Sequence, residues 1–496
     1  MGIIIKQSIK GTFWSYVGVL IGFVTTGLLF PRYLTAEVIG LFSLLVSFST
    51  IFAQFSSLGV NGITSRLFPY FRNNENNHNG YLFITTIVIL IGFSLIMLFF
   101  ALFYPYFVAS NIEKSYLLSE YAYLIIPMTF FVLIFNYLDT YNKLLYDAVL
   151  GTFLQEFLQR VLILSSLILF IFKVINLQTF IILYSASVCA KAVVIFIYLL
   201  IKGNISFKPN LKFISPELRR EMISVALFSV LTGLGSSLVF QFDKIIVNDI
   251  LGLKLTGIYT IGFFFGSLVV IPSRTLLRIS GTLIADDWKN GNVDKIESIY
   301  KKTCINQFII ALYIFGGIWL NISNIIEVLG NEYLAAKWVI FFISLGYVVH
   351  MGTGANDQII TYSKHYRVSL WFNLIMIVTI IALMYLIIPI WGITGAAIAV
   401  CITFIINNLL RFLFLQIKYK MQPFNVNFIY AILILVLAFI GTNYLPQLPL
   451  IADILVRSTI YTVVFWVFIL ITKTSKDINK TVLAVWDKVR AMMKKS

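Results

Sequence analysis

A single lysine interrupts the apolar run FIILYSASVCAKAVVIFIYLL: Lys191 lies about fourteen residues into a stretch with no other charged side chain. A charge facing hydrocarbon costs about 2.5 to 3.5 kcal/mol on insertion scales, so such a residue turns toward a cavity or a partner. Lys191 is therefore read as a cation that attracts an anionic group, against the alternative that it snorkels or pairs with an acid. Glu156 and Arg160 are four residues apart, the spacing of an intrahelical ion pair, with Arg160 as a second candidate cation. Arg274 and Arg278 share one helix face after Pro272 and suit either an incoming anion or a headgroup anchor. Asp243, beside Lys244, binds H⁺ or Na⁺ if it faces a cavity and is merely solvated if it sits at a rim. In GYVVHMGTGANDQIITYSK, Gly352 and Gly354 bracket His350, Asn356 and Asp357. A helix loosened there frees carbonyls that, with Asn356 and Asp357, receive a cation or hydroxyls; the alternative is close helix packing with His350 bonded internally. Gln54, Asn61, Asn136, Asp139, Gln241 and Asn306 add hydrogen-bonding groups that line a polar cavity or join helices.

This inventory binds; it does not make or break bonds. There is no GxxxxGK[ST] loop, HExxH pair, GxSxG elbow or CxxC pair. The three cysteines, Cys189, Cys304 and Cys401, each sit in or beside an apolar run and read as packing residues. No enzyme activity, cofactor or metal is expected.

The elements that must position these groups are membrane helices. Of 496 residues 59% are hydrophobic and 12% charged, half the charge of an ordinary soluble domain. Stretches long enough to cross a ~30 Å hydrocarbon layer number about fourteen. Six fall at 12–31, 38–62, 81–106, 117–140, 153–173 and 177–202, and six more at 221–247, 255–277, 303–326, 333–361, 367–389 and 392–417. A final pair covers 424–444 and 450–472. The first run continues into PRYL with no small-residue cleavage site, which reads as a retained span. Lys6 occupies the position where a myristoylation motif needs Ser or Thr, so no lipid anchor is implied.

Net charge is +16, from 37 Lys+Arg against 21 Asp+Glu. With an even span count and the N-terminus inside, 29 of the basic residues fall on the cytoplasmic side, 7 opposite, and Lys191 within a span. The surplus is therefore topological, with both termini cytoplasmic, and nucleic acid is not needed to explain it. Every outward loop is short, which argues against a membrane-bound enzyme that must hold acid/base groups over a sugar. From Lys476 the tail places Ile478, Val482, Trp486, Val489 and Met493 at helical spacing among Lys480, Lys488, Arg490 and Lys494, an amphipathic helix for the anionic lipid surface or a docking partner.

The stretch FPRYLTAEVIGLFSLLVSF from Phe30 aligns with VNDILGLKLTGIYTIGFFF from Val247, so that Gly40 meets Gly257 at an offset of about 217 residues. Six spans precede the second copy, so both halves start inside and the repeat is parallel about the membrane normal. The organisation expected is an N-terminal lobe at 1–203, a cytoplasmic linker at 204–220, a C-terminal lobe at 221–420, two further spans at 421–472 and the basic tail at 473–496.

LGVNGITSRLFPYFR (58–72), FDKIIVNDILGLKLTGIYT (242–260) and WGITGAAIAVCITFIINNLLR (391–411) resemble the polysaccharide and O-antigen flippases of the multidrug/oligosaccharidyl-lipid/polysaccharide exporter superfamily. The resemblance implies an all-α polytopic fold of two six-helix lobes around a central cavity, two extra C-terminal helices, and alternating access. It also implies a lipid-diphosphate-linked oligosaccharide as cargo in a bacterial inner membrane, serving lipopolysaccharide or another polysaccharide. Lys191 would then attract the diphosphate, H⁺ or Na⁺ would be the coupling ion, and polysaccharide-assembly proteins would be partners. An ion-coupled small-molecule antiporter of the multidrug type shares the lobes and is the alternative.

Overall fold

The computed structural model describes residues 2–73, 75–237 and 239–493. Every regular element among them is helical. The chain divides into two compact units, Met1–Ile261 and Gly262–Ser496.

The first unit contains α1 (Lys10–Tyr33), α2 (Ala36–Ser56), α3 (Val60–Phe71), α4 (Tyr81–Asn111), α5 (Tyr116–Leu144), α6 (Val149–Ile171), α7 (Leu177–Ile201), α8 (Pro216–Ser237) and α9 (Val239–Leu251). Helix α10 (Leu253–Val270) carries the chain onward. Composition explains which helix sits where. α2 lines its sides with Gly40, Ser43, Ser47, Ser49 and Ala53, all buried, and small residues let neighbouring backbones approach closely. α4 instead leaves Leu95, Leu98 and Leu102 more than half exposed, an apolar face that only hydrocarbon covers without penalty.

The expected second span at 38–62 ends early, at Ser56. Leu58 and Gly59 take positive φ (44° and 80°), which stops the helix, and α3 starts anew at Val60. Glycine is required at position 59 for a second reason: a Cβ there would run into the carbonyl of Ala226 on α8.

The repeat is visible as a reciprocal contact. A Cβ on Gly40 would strike the Leu253 carbonyl, and one on Gly257 would strike the Ala36 carbonyl. Residues 36 and 40 become 253 and 257 under the same offset, so each copy presents the same surface to the other.

The second unit contains α11 (Ser273–Lys289), α12 (Val293–Leu320), α13 (Ile322–Leu329), α14 (Ala336–Gly352), α15 (Asn356–Tyr362), α16 (Arg367–Tyr419), α17 (Val426–Asn443), α18 (Leu450–Ile471) and α19 (Lys476–Met493). A straight helix of 53 residues would be about 80 Å long. α16 is instead two arms, because Gly392 leaves helical geometry (φ 56°, ψ −140°) and Asn407 Nδ2 donates to the Phe372 carbonyl at 2.9 Å, 35 residues back. The expected span at 333–361 is broken too, into α14 and α15, bent by 50°.

Among the described residues eleven helices are long and apolar enough to cross a membrane, or twelve with the bent pair, where fourteen are expected. The difference lies in α16, with its two arms, and in α8 and α9, between which Leu238 lies outside the described residues.

The last helices are held by polar chemistry. Arg457 Nε lies 2.7 Å from Asp453 Oδ2, while its Nη groups donate to the carbonyls of Thr442, Leu445 and Pro446 at the C-terminus of α17. Asn324 Nδ2 donates to the same Asp453 oxygen at 2.7 Å. The tail forms the expected helix α19. Its side chains from residue 485 onward, and Lys494 and Lys495 entirely, lie outside the described residues.

Candidate functional site

Within the first unit, α2, α5, α6, α7 and the start of α9 enclose a cavity of about 410 Å³. Five candidates converge there: Gln54, Asn136, Arg160, Lys191 and Gln241.

Helix α6 supplies the most charge. A π-helical turn at Phe153–Leu158 widens its backbone, a distortion that often marks functional positions. Gln155, Glu156, Gln159 and Arg160 all reach the cavity wall from this helix. The expected intrahelical pair forms, with Arg160 Nη2 2.8 Å from Glu156 Oε2. Arg160 Nη1 also donates to the Gly18 carbonyl of α1 at 2.6 Å. Side chains on Gly18 or Gly22 would collide with the Glu156 backbone or the guanidinium, so the two glycines are what let α1 lie against this part of α6.

Lys191 arrives from α7 and is 8% exposed. Its Nζ donates to Gln159 Oε1 at 3.0 Å and sits 4.7 Å from the centroid of the Phe135 ring. A neutral amide and a ring face hold the ammonium in place without neutralising it. Ser47 donates to Gln241 Oε1 at 2.8 Å, which orients that amide. Lys191, Arg160 and Glu156 give the cavity wall a formal charge of +1. Such a site offers charge-assisted donors to an anion and amides to hydroxyl groups.

Gln155, Gln159 and Thr50 were not anticipated. The run QEFLQR carries the signal for the first two, since residues four apart share a helix face and two overlapping pairs make a polar stripe.

Other candidates stand elsewhere. Asn61 lies on α3 beyond the Gly59 turn, apart from the cavity lining. Asp243 follows Gln241 by two residues and so points about 200° away around the helix. It is 1% exposed and accepts hydrogen bonds from the Tyr259 hydroxyl at 2.9 Å and the Lys244 amide at 2.8 Å. Arg274 and Arg278 are exposed on α11 in the second unit. Asn306 serves the tail, accepting from Ser475 at 2.5 Å. Asp139 pairs with Lys143 at 2.5 Å.

The remaining candidates form a separate cluster in the second unit. At the α14–α15 break, His350 Nδ1 (3.4 Å), Thr353 Oγ1 (2.7 Å) and Asn356 Nδ2 (3.2 Å) gather around one atom, Asn408 Oδ1 on the second arm of α16. Asn408 was missed because an amide in the run IINNLLR carries no sign of which side it faces. His350 also stacks on Phe404, at 5.6 Å between centroids. Asp357 is engaged by Arg411, Oδ1 to Nη1 at 3.1 Å.

The sequence profile of the family described as "Polysaccharide biosynthesis protein" matches residues 8–284. The chain belongs to this family. No curated protein matches it. Among solved structures, this member of the family resembles the lipid II flippase MurJ in an inward closed conformation, with a TM-score of 0.73 at 15% identity over 95% of this chain and 99% of that one. It also resembles an inward-facing multidrug resistance MATE family transporter of the MOP superfamily, with a TM-score of 0.62 at 16% identity over 82% of this chain and 94% of that one. At such identities the likeness defines the fold: the polysaccharide-biosynthesis chain is built as these membrane transporters are. The cavity wall runs from Val46 to Gln241, so the matched region covers every residue of it.

Proposed function

We propose that this chain is a flippase that carries a lipid-diphosphate-linked oligosaccharide across the bacterial inner membrane by alternating access, with the cavity of the first unit receiving the anionic headgroup. The observation that carries the reading is Lys191: a buried ammonium held by an amide and a ring face, on the wall of a cavity that membrane-crossing helices enclose. Membership in a polysaccharide-biosynthesis family and a fold shared with a lipid II flippase support it. The amides of Gln54, Asn136, Gln159 and Gln241 suit sugar hydroxyls, and the cavity's positive charge suits a diphosphate better than a cationic drug. The basic loops and both termini are assigned to the cytoplasmic side.

The driving force we assign is the membrane potential. Each elementary charge crossing about 100 mV is worth ~2.3 kcal/mol, so a headgroup with two negative charges gains up to ~4 to 5 kcal/mol over a complete cycle. Cavity cations change which half-cycle gains that energy, not the sum. Asp243 and Asp357 already have hydrogen-bonding or ionic partners in Tyr259 and Arg411, so we rank an H⁺ or Na⁺ site there second.

Proteoliposomes test this. Labelled lipid-linked oligosaccharide should move toward the positive side under a K⁺/valinomycin potential alone, Lys191→Ala should abolish the movement, and Lys191→Arg should keep part of it by retaining charge. Normal flipping by Lys191→Ala would remove Lys191 from the site. Transport of organic cations in place of the lipid-linked cargo would replace the reading with a multidrug antiporter.

A further inference from the structure

A second cavity in the first unit, about 450 Å³, has the opposite chemistry. Aliphatic side chains such as Leu58, Ile84, Val88, Met222 and Ala226 line it, and Arg219 is its single charged residue. The wall is firmly built: Met222 is 8% exposed, and the Gly59 turn that carries Leu58 lies directly on the Ala226 backbone.

Its position along the helices gives it meaning. Arg219 stands in the first turn of α8, in a segment that also holds Lys208, Lys212 and Arg220. Ala226 is seven residues further, about 10 Å along the helix. Another seven residues lead to Gly233, whose Cβ position is filled by the Gln54 amide of the polar cavity. On the facing side, Gln54 of the polar cavity and Leu58 of the apolar one are four residues apart. The two cavities therefore follow each other along the same pair of segments, a cation in the basic segment at the start of α8 first, an apolar trough next, the polar chamber last. This order matches an amphiphile in a leaflet, with phosphate at the surface and chain running inward. Basic pockets between helices at a membrane surface bind anionic headgroups.

We infer that this trough is an entry site for the lipid part of the cargo: Arg219 holds a phosphate of a phosphate-bearing isoprenoid lipid, and its chain lies against Ala226 and Leu58 before the headgroup moves to Lys191. The inference rests on the flippase reading for the identity of that lipid, though not for the existence of the site.

Photolabelling of the purified full chain with a benzophenone-bearing isoprenoid diphosphate tests it. Crosslinks should concentrate on α8, between residues 216 and 230, and on the start of α4. Geranylgeranyl diphosphate should compete, and inorganic diphosphate and phosphatidylglycerol should not. Arg219→Gln should reduce labelling about fivefold, the effect of one basic residue near the surface. Ile223→Trp, which fills the trough from a half-exposed position, should reduce it further while the protein elutes normally on gel filtration. Labelling spread over all lipid-facing helices, or unchanged in both variants, would overturn the site; so would equal competition by phosphatidylglycerol, which would make it a site for ordinary lipid. Labelling needs no turnover, so a chain labelled here that flips no lipid-linked oligosaccharide would sink the flippase reading and leave the trough.

Discussion

Arg411 joins Asp357 of α15 to Asn373 on the opposite arm of α16: one Nη lies 3.1 Å from the carboxylate and the other donates to the Asn373 amide oxygen at 2.9 Å. The two partners are unequal, since the arginine side chain is 8% exposed and the aspartate side chain 43%. Arg411→Met leaves a half-exposed carboxylate that recovers hydration, and should lower unfolding free energy by about 1 kcal/mol. Asp357→Asn leaves a buried guanidinium without its counter-charge, and should cost about 1 to 3 kcal/mol, both measured by denaturant titration in detergent. A larger cost for Arg411→Met would show that the arginine acts mainly by tying Asn373 and α15 together.

Glu156 competes with any anion for Arg160. The pair's side chains are 17% and 29% exposed, so its net worth is about 0 to 1 kcal/mol. Glu156→Gln keeps the shape of the wall and raises its formal charge from +1 to +2. Affinity for inorganic diphosphate, followed by calorimetric titration, should rise by up to about fivefold. Weaker binding would show that Glu156 positions Arg160 and does not merely occupy it.

Arg457 is the centre of a network with no slack. It satisfies Asp453 and three carbonyls at and just beyond the end of α17, with both charged side chains about nine-tenths buried. Arg457→Met should cost about 3 to 5 kcal/mol, because one buried charge is left unpaired. Adding Asp453→Leu removes that charge and should recover part of the loss. A thermal-unfolding series of both single variants and the double variant checks this; simple additivity of the two single effects would contradict a coupled pair.

His365 lies outside the membrane-crossing segments, with Nδ1 2.8 Å from the Tyr419 hydroxyl. Partial burial first, then the charges of Lys418 and Lys364, hold its pKa below the ordinary value of about 6.5. The folded chain therefore resists a proton that the unfolded chain accepts. Stability should fall as pH drops from about 6.5 and level off once the folded histidine is also protonated. His365→Gln should flatten that part of the profile, read as the denaturation midpoint between pH 7.5 and 5.5. An unchanged slope would assign the dependence to other groups.

What the sequence determined by itself follows from energies large enough to need no partner. Twenty apolar residues must cross or be buried, and a lone Lys191 in such a run must find a polar surrounding; each is a statement about transfer from water. The repeat was legible because Gly40 and Gly257 stand at matching places near the starts of two helices, where the structure packs each against a backbone carbonyl. Tertiary structure decided everything that depends on helix rotation and on breaks. Whether Gln241 or Asp243 faces the cavity is a matter of 200° on one helix, worth little in hydropathy and set by packing against Ser47 and Tyr259. That His350, Thr353 and Asn356 meet at Asn408 depends on the α14–α15 bend and on the reversal at Gly392. The sequence already separates the two arms, as spans at 367–389 and 392–417; what it does not show is that the chain folds back at Gly392 so that Arg411 comes within reach of both Asn373 and Asp357.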